Sequence, residues 1–278
     1  SSMRPYYPHV GEYFEDQNSA SYEIEKIFYS DVSKLSMTNL FTDRKILRSF
    51  ISLLCDYFAD LPIKKVSDTE YRRHLQSLFV DKTMSRVNET QNLSVIGELD
   101  KLCVFNGFDS LNDYSTRLIR ELEKAINSIR SGSFVFSHGD LCFSNILYSK
   151  TLNLMKLIDP RGYCGSDDET YMPALYDLAK LSHSFLGLYD HMVYDRVSIV
   201  VNNRSKLALS FDVSDNYMDI VKEEFERFIT GVGASLRLVR LFESSLFLSM
   251  IPLHSDSIRR MSIQLIQSMN IFEEYVAR

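Results

Sequence analysis

The sequence predicts an α+β fold, mainly helical, with a small central set of short strands. Three observations lead there. Apolar residues recur at helical spacing over long segments on both sides of the middle of the chain. Between residues 134 and 159 that period gives way to short apolar runs joined by tight turns. Only 10 glycines and 6 prolines punctuate 278 residues, while 45% of residues are hydrophobic and 24% charged, a balance that buries a core and favours helix.

The elements follow in order. Residues 1–20 are polar and aromatic and read as an irregular segment. SYEIEKIFY (21–29) alternates and reads as a strand with one imperfect face. Thr42 or Asp43 caps the next helix, in which Ile46, Leu47, Phe50, Ile51, Leu54 and Phe58 share a face, and Pro62 closes it. Asp68 opens a helix that runs through residue 87. Residues 99–108 end at an NGF turn. Asn112 or Asp113 caps a helix striped by Leu118, Leu122, Ala125, Ile126 and Ile129, with Gly132 as its stop. FVF, NILYS and LMKLID are the central strands. MPALYDLAKLSHSFLGLYD returns to helical spacing. MVYDRVSIVV and KLALSFDV flank an Asn-rich turn and read as a hairpin. Helices at 217–230, 234–251 and 256–276 complete the chain, so residues 217–278 form a C-terminal helical block.

Composition narrows the function. Net charge is −6 with both signs interspersed, which argues against a nucleic-acid partner held by bulk charge and leaves room for a local basic pocket. The four cysteines, Cys55, Cys103, Cys142 and Cys164, make no CxxC pair, and no His cluster has zinc spacing, so reduced thiols and a cytoplasmic location are expected. No apolar run reaches the roughly 18 residues of a membrane span.

The chemistry concentrates in SHGDLCFSNILYSKTLNLMKLIDPRG, residues 137–162. His138, Asp140 and Asn145 spell H-G-D-x-x-x-x-N, and Asp159 follows 14 residues after Asn145 at the end of an apolar run. An Asp and an Asn five apart on one loop can face a single point, and a second Asp arriving on the next strand adds another hard oxygen. Such oxygens suit Mg²⁺, which usually accompanies a nucleotide phosphate. The remaining Asp can accept the proton of an attacking hydroxyl. Phosphoryl transfer needs those parts. An isolated H-G-D is also an ordinary turn, since Gly139 permits unusual dihedrals and Asp favours loops; the offsets of Asn145 and Asp159 favour the catalytic alternative.

HGDLCFSN followed by LIDPRG resembles the aminoglycoside phosphotransferase / choline kinase family of protein-kinase-like small-molecule kinases, and YDLAKL (176–181) resembles the segment they carry after the metal-binding Asp. The resemblance spans roughly residues 22–186 in layout and is specific only at those motifs. It implies a kinase-like C-terminal lobe over 21–278, with 21–29 as a hinge-like strand and 137–162 as the catalytic and metal loops. It implies Asp140 as the catalytic base or hydroxyl-orienting residue, Asn145 and Asp159 as Mg²⁺ ligands, and ATP as co-substrate. His138 would brace the loop, and Asp177 would buttress it from the start of a helix, where it is equally readable as a simple N-terminal helix charge.

Two departures stand out. Arg161, where many relatives place an aromatic or small residue, projects a permanent cation toward a phosphate or pairs with Asp167, Asp168 or Glu169. Gly11 is the sole glycine before Gly97, so no glycine-rich phosphate loop precedes the hinge, and the resemblance implies that the N-terminal nucleotide lobe is removed, supplied by another, fused domain, or never existed. Acceptor choice in such enzymes lies after the metal Asp, where Tyr163, Tyr171, Tyr189, His183, Asp190 and His191 occur with the acidic run 167–169. Relatives with an IDPRG-like run resemble sugar and surface-polysaccharide kinases, which implies a sugar or polyol acceptor. An amino-alcohol acceptor and an inactive kinase-like binding module are the alternatives. No further carboxylate or His cluster completes a two-metal hydrolase site.

Overall fold

The structure is a computed structural model that describes residues 3–130, 132–162 and 170–276. The chain starts with a 3₁₀ turn, Arg4–Tyr6, and a two-stranded ribbon, β1 (Val10–Glu15) and β2 (Ala20–Ile24), paired antiparallel with Tyr13 opposite Tyr22. β1 corrects the irregular reading of residues 1–20. The strand read over 21–29 shrinks to β2, because both ribbon strands are exposed throughout and alternation has no core to face.

β3 (Ser30–Asp31) leads into α1 (Val32–Met37) and α2 (Arg44–Asp60). Asp43 caps α2 by accepting from the amides of Lys45 and Ile46, and the expected face is buried at Leu47, Phe50, Ile51 and Leu54. After β4 (Ile63–Lys65), the predicted single helix appears in three pieces: α3 (Asp68–Leu75), a π-helical segment at Gln76–Asp81, and α4 (Lys82–Gln91). α5 is Ile96–Phe105, and Gly107 makes the turn after it at φ +89°. α6 (Leu111–Ser128) is capped by Ser110, whose hydroxyl accepts from the Asp113 amide, not by Asn112 or Asp113. It stops before Gly132. That glycine answers a different need, since a Cβ there would sit 2.4 Å from the Tyr71 ring.

The central strands fall into two antiparallel sheets. β5 (Ser133–Phe136) lies between β4 and β8 (Tyr171–Pro173). β6 (Ile146–Ser149) lies between β3 and β7 (Leu154–Leu157). The HGD loop is the link from β5 to β6, so it is anchored by both sheets. α7 (Ala174–Phe185) is buried on nearly every side, as expected of a helix enclosed by others, and α8 (Tyr189–Val193) follows it. The expected hairpin is β9 (Val197–Val201) with β10 (Leu207–Phe211). α9 (Tyr217–Gly231), α10 (Leu236–Met250) and α11 (Ile258–Val276) close the core around α7. Among the described residues no helix is long and apolar enough to cross a membrane.

Candidate functional site

The HGD loop hangs on one carboxylate. Asp177, in the first turn of α7 and 0% exposed, accepts from the Ser137 hydroxyl (2.5 Å) and from the amides of His138 and Gly139 (2.9 Å each). Burial pushes its carboxyl above the ordinary value, against the pull of His138 and of these donors. Asp177 therefore does far more than place a charge at a helix start. Gly139 sits at φ +77° with its Cα against Arg161, where a Cβ would come within 2.8 Å of the Arg161 Cβ. Only glycine meets both demands.

His138 is buried and spends both ring nitrogens inside the loop. Nε2 lies 2.8 Å from the Ile158 carbonyl and donates to it, and Nδ1 accepts from the Asp140 amide at 3.2 Å. That arrangement fixes the tautomer and leaves no ring nitrogen for proton transfer. Tyr7 stacks on the same ring at 6.3 Å between centroids.

Asp140 stands between two unlike partners. The Asn145 amide nitrogen donates to its backbone oxygen (2.8 Å) and to Oδ2 (3.3 Å). The Lys180 ammonium lies 2.8 Å from Oδ1 as an ion pair, although that oxygen takes no well-directed hydrogen bond. Burial would raise the Asp140 carboxyl, but Lys180, helped by His138 and Asn145, outweighs it and holds the group below its ordinary value. Burial works equally against the Lys180 charge, and Asp140 with Tyr176 and Cys142 overrides it, so the ammonium is held more firmly than usual. Both groups are ionised at neutral pH.

Asp159 ends the strand beside them. The Ile158 amide donates to the Asn145 carbonyl (3.0 Å) while the Ile158 carbonyl receives His138, so the residue before Asp159 is pinned to two members of the motif. Asp159 itself is exposed, with φ +56°, a conformation Asp tolerates better than most residues. Among the described residues no group of three or more His, Cys, Asp or Glu side chains is arranged to hold a metal ion. The oxygens on hand for one are the Asn145 amide and the Asp159 carboxylate. Arg161 donates its amide to the His138 carbonyl (2.8 Å) and Nη1 to the Tyr176 hydroxyl (3.2 Å). Its other expected partners, Asp167, Asp168 and Glu169, lie outside the described residues, as do Tyr163 and Cys164.

Sequence reasoning missed Lys180, Tyr176 and Lys82. Lys180 had a signal: it lies three residues after Asp177 and four after Tyr176, one helical face, so whatever brings Asp177 to the loop brings Lys180 to Asp140. Tyr176 is buried and receives Lys82 Nζ at 3.1 Å. Burial would raise its phenol, but Lys82, Lys180 and Arg161 hold it below the ordinary value. Nothing local marks Lys82, which arrives from another helix.

Of the residues expected on the acceptor side, Tyr171 packs edge-on against Phe136, while His183, Tyr189, Asp190 and His191 lie on or beside α7 and α8. His183 is wedged between the rings of Tyr189 and Phe247, and burial drives its pKa well below the ordinary value. A cavity of about 110 Å³ opens next to Tyr189, with Arg260 and Gln264 in its wall. A second cleft, of about 480 Å³, runs between Tyr7, Glu25, Phe136 and Lys156, so it touches the ring that stacks on His138.

No family model matches the chain, and no curated protein matches its sequence. Among solved structures, a glucosamine kinase (crystal form A) superposes over 92% of this chain with a TM-score of 0.54 and 12% sequence identity. The fold, mixed α and β with small antiparallel sheets, is thus similar to that of this glucosamine kinase. The chain spans 58% of that kinase's length.

Proposed function

We propose that this chain carries the catalytic and acceptor side of a phosphotransferase that moves the γ-phosphoryl group of ATP to a hydroxyl of a sugar or polyol. One observation carries the reading: Asp140 is held ionised between Asn145 and Lys180, on a loop whose brace is completed by His138 and Asp177. In this reading Asp140 orients the acceptor hydroxyl and takes its proton as the new oxygen–phosphorus bond forms and the bond to the ADP oxygen breaks. Lys180 keeps the carboxylate ionised and aimed. His138 and Asp177 position the loop and touch no substrate.

Asn145 and Asp159 fit a Mg²⁺ site. Both offer hard oxygens, and the Asn145 nitrogen is committed to Asp140, which leaves its oxygen for another ligand. When bound, the ion would neutralise charge on the transferred group. The cleft beside Glu25 and Lys156 suits the nucleotide, since the hinge-like segment reaches it. A sugar acceptor agrees with what the structural neighbour's name says of that protein, and a role in surface-polysaccharide synthesis follows only from the motif resemblance.

The test is a screen of sugars, polyols and amino-alcohols for Mg²⁺-dependent ATP consumption. Asp140→Ala should lower the rate by about a hundredfold or more. Equal ATP use by that variant removes the mechanism, and absence of turnover with every acceptor, in a chain that is folded, favours a binding module.

A further inference from the structure

α7 meets the HGD loop at its first turn and ends at Phe185, and just past that end lies a cavity of about 350 Å³. None of the residues assigned to phosphoryl transfer lines it. Leu186, Phe211 and Met218, from the end of α7, from β10 and from α9, make its walls largely apolar. Small-ligand sites are commonly of this kind, concave spaces of about 300–1,000 Å³ with apolar walls and a few placed polar groups.

The polar groups come from two directions. Gln267 and Asn270, three apart on one face of α11, bring amides into the wall. Gln267 is 7% exposed, and its nitrogen donates to the Gly187 carbonyl at 3.1 Å. A carbonyl only accepts, so that bond fixes which end of the amide is nitrogen. The Gln267 oxygen receives no donor among the described residues. A nearly buried acceptor in a cavity wall calls for a donor on whatever fills the cavity.

The second direction is cationic. The cavity adjoins a smaller one of about 30 Å³, and Leu186, Lys222, Arg240 and Glu274 line both. Arg240 is committed: it donates to both oxygens of buried Glu243 (2.6 and 2.7 Å) and lies 3.7 Å from Glu274. Lys222, in both walls, and Arg237, in the smaller one, pair with no carboxylate among the described residues. An exposed ammonium with no counter-ion thus stands where the two cavities meet, beside apolar walls.

We propose that this groove binds an amphipathic organic acid, with its apolar body against Phe211 and Met218, an amide or hydroxyl donor to Gln267, and its carboxylate at Lys222. The site is separate from the phosphotransferase reading and does not rest on it. Lys222 disfavours an apolar amine, and the apolar walls disfavour a sugar.

Calorimetry on the full chain tests the proposal with N-octanoylglycine, its methyl ester and octylamine. The acid should bind, the ester about tenfold more weakly, and the amine more weakly still. Lys222→Glu, at an exposed position, should weaken the acid about tenfold and leave the ester unchanged. Met218→Trp fills the cavity and should weaken acid and ester alike. An acid that does not bind overturns the proposal, as does one that binds no better than its ester. Acid binding that neither variant changes overturns it too, because the ligand then sits elsewhere. ATP consumption by Lys222→Glu should equal the parent's, so this outcome stands apart from whether the chain is a kinase.

Discussion

Asp177 and Asp190 are buried almost equally, 0% and 4% exposed, on successive helices, yet their surroundings differ completely. Asp177 gathers three donors from one loop and thereby fixes that loop's shape. Asp190 keeps one oxygen, Oδ2, without a partner among the described residues, and burial raises its carboxyl to about 6 in spite of a bond from Ser184. Both His183 nitrogens, the Tyr217 hydroxyl and the Gln264 amide oxygen are likewise without a partner among the described residues. The lesson is that burial alone does not make a polar group structural. Around Asp177 the desolvation cost is offset by three donors; around Asp190 the described residues offset less of it.

The largest expected effect breaks the first half of that comparison. Asp177→Asn turns an amide –NH₂ toward donors that need an acceptor, and stability should fall by about 3 kcal/mol in urea unfolding. A loss below about 1 kcal/mol would mean that the loop holds its shape without α7. Gly139→Ala comes next. It puts a Cβ against Arg161 at a positive φ, a conformational cost of about 1–2 kcal/mol before the contact is counted. Turnover should drop more than stability, because the displaced atoms flank Asp140. Ser137→Ala should cost about 1 kcal/mol, one of three bonds, with activity largely kept.

A last effect should have the opposite sign. The folded state holds the Asp190 proton more tightly than the unfolded chain does, so this group's contribution is fully present at pH values below about 4 and is lost as pH rises through about 6. Asp190→Asn removes that loss. Its melting temperature should match the parent's near pH 4 and exceed it near pH 7. A constant difference across that range would show that Asp190 is already compensated.

The legible part of the candidate site was the part written within one stretch of chain. His138, Asp140 and Asn145 were readable because a loop of fixed spacing sets their mutual positions, and Asp177 because YDLAKL carries it at a helix start. The helix pattern was legible for the same reason, down to the Asp43 cap and the β9–β10 hairpin. What stayed hidden depends on packing between distant elements. Lys82 reaches Tyr176 across 94 positions and by way of a π-helical segment that periodicity alone read as plain helix. In the ribbon, β1 was missed and β2 was misjudged at its ends because alternation signals a strand only where one face is buried, and neither face is.

The seating of α7 in the middle of the molecule has a kinetic consequence. The amide protons of His138 and Gly139 are tied to a carboxylate that cannot swing away unless the helices around it separate. Their exchange with deuterated solvent should track global opening, as slow as the deepest protons of α10, although they sit on a connecting segment where fast exchange is the rule. Here the backbone next to Asp140 is among the last places to loosen.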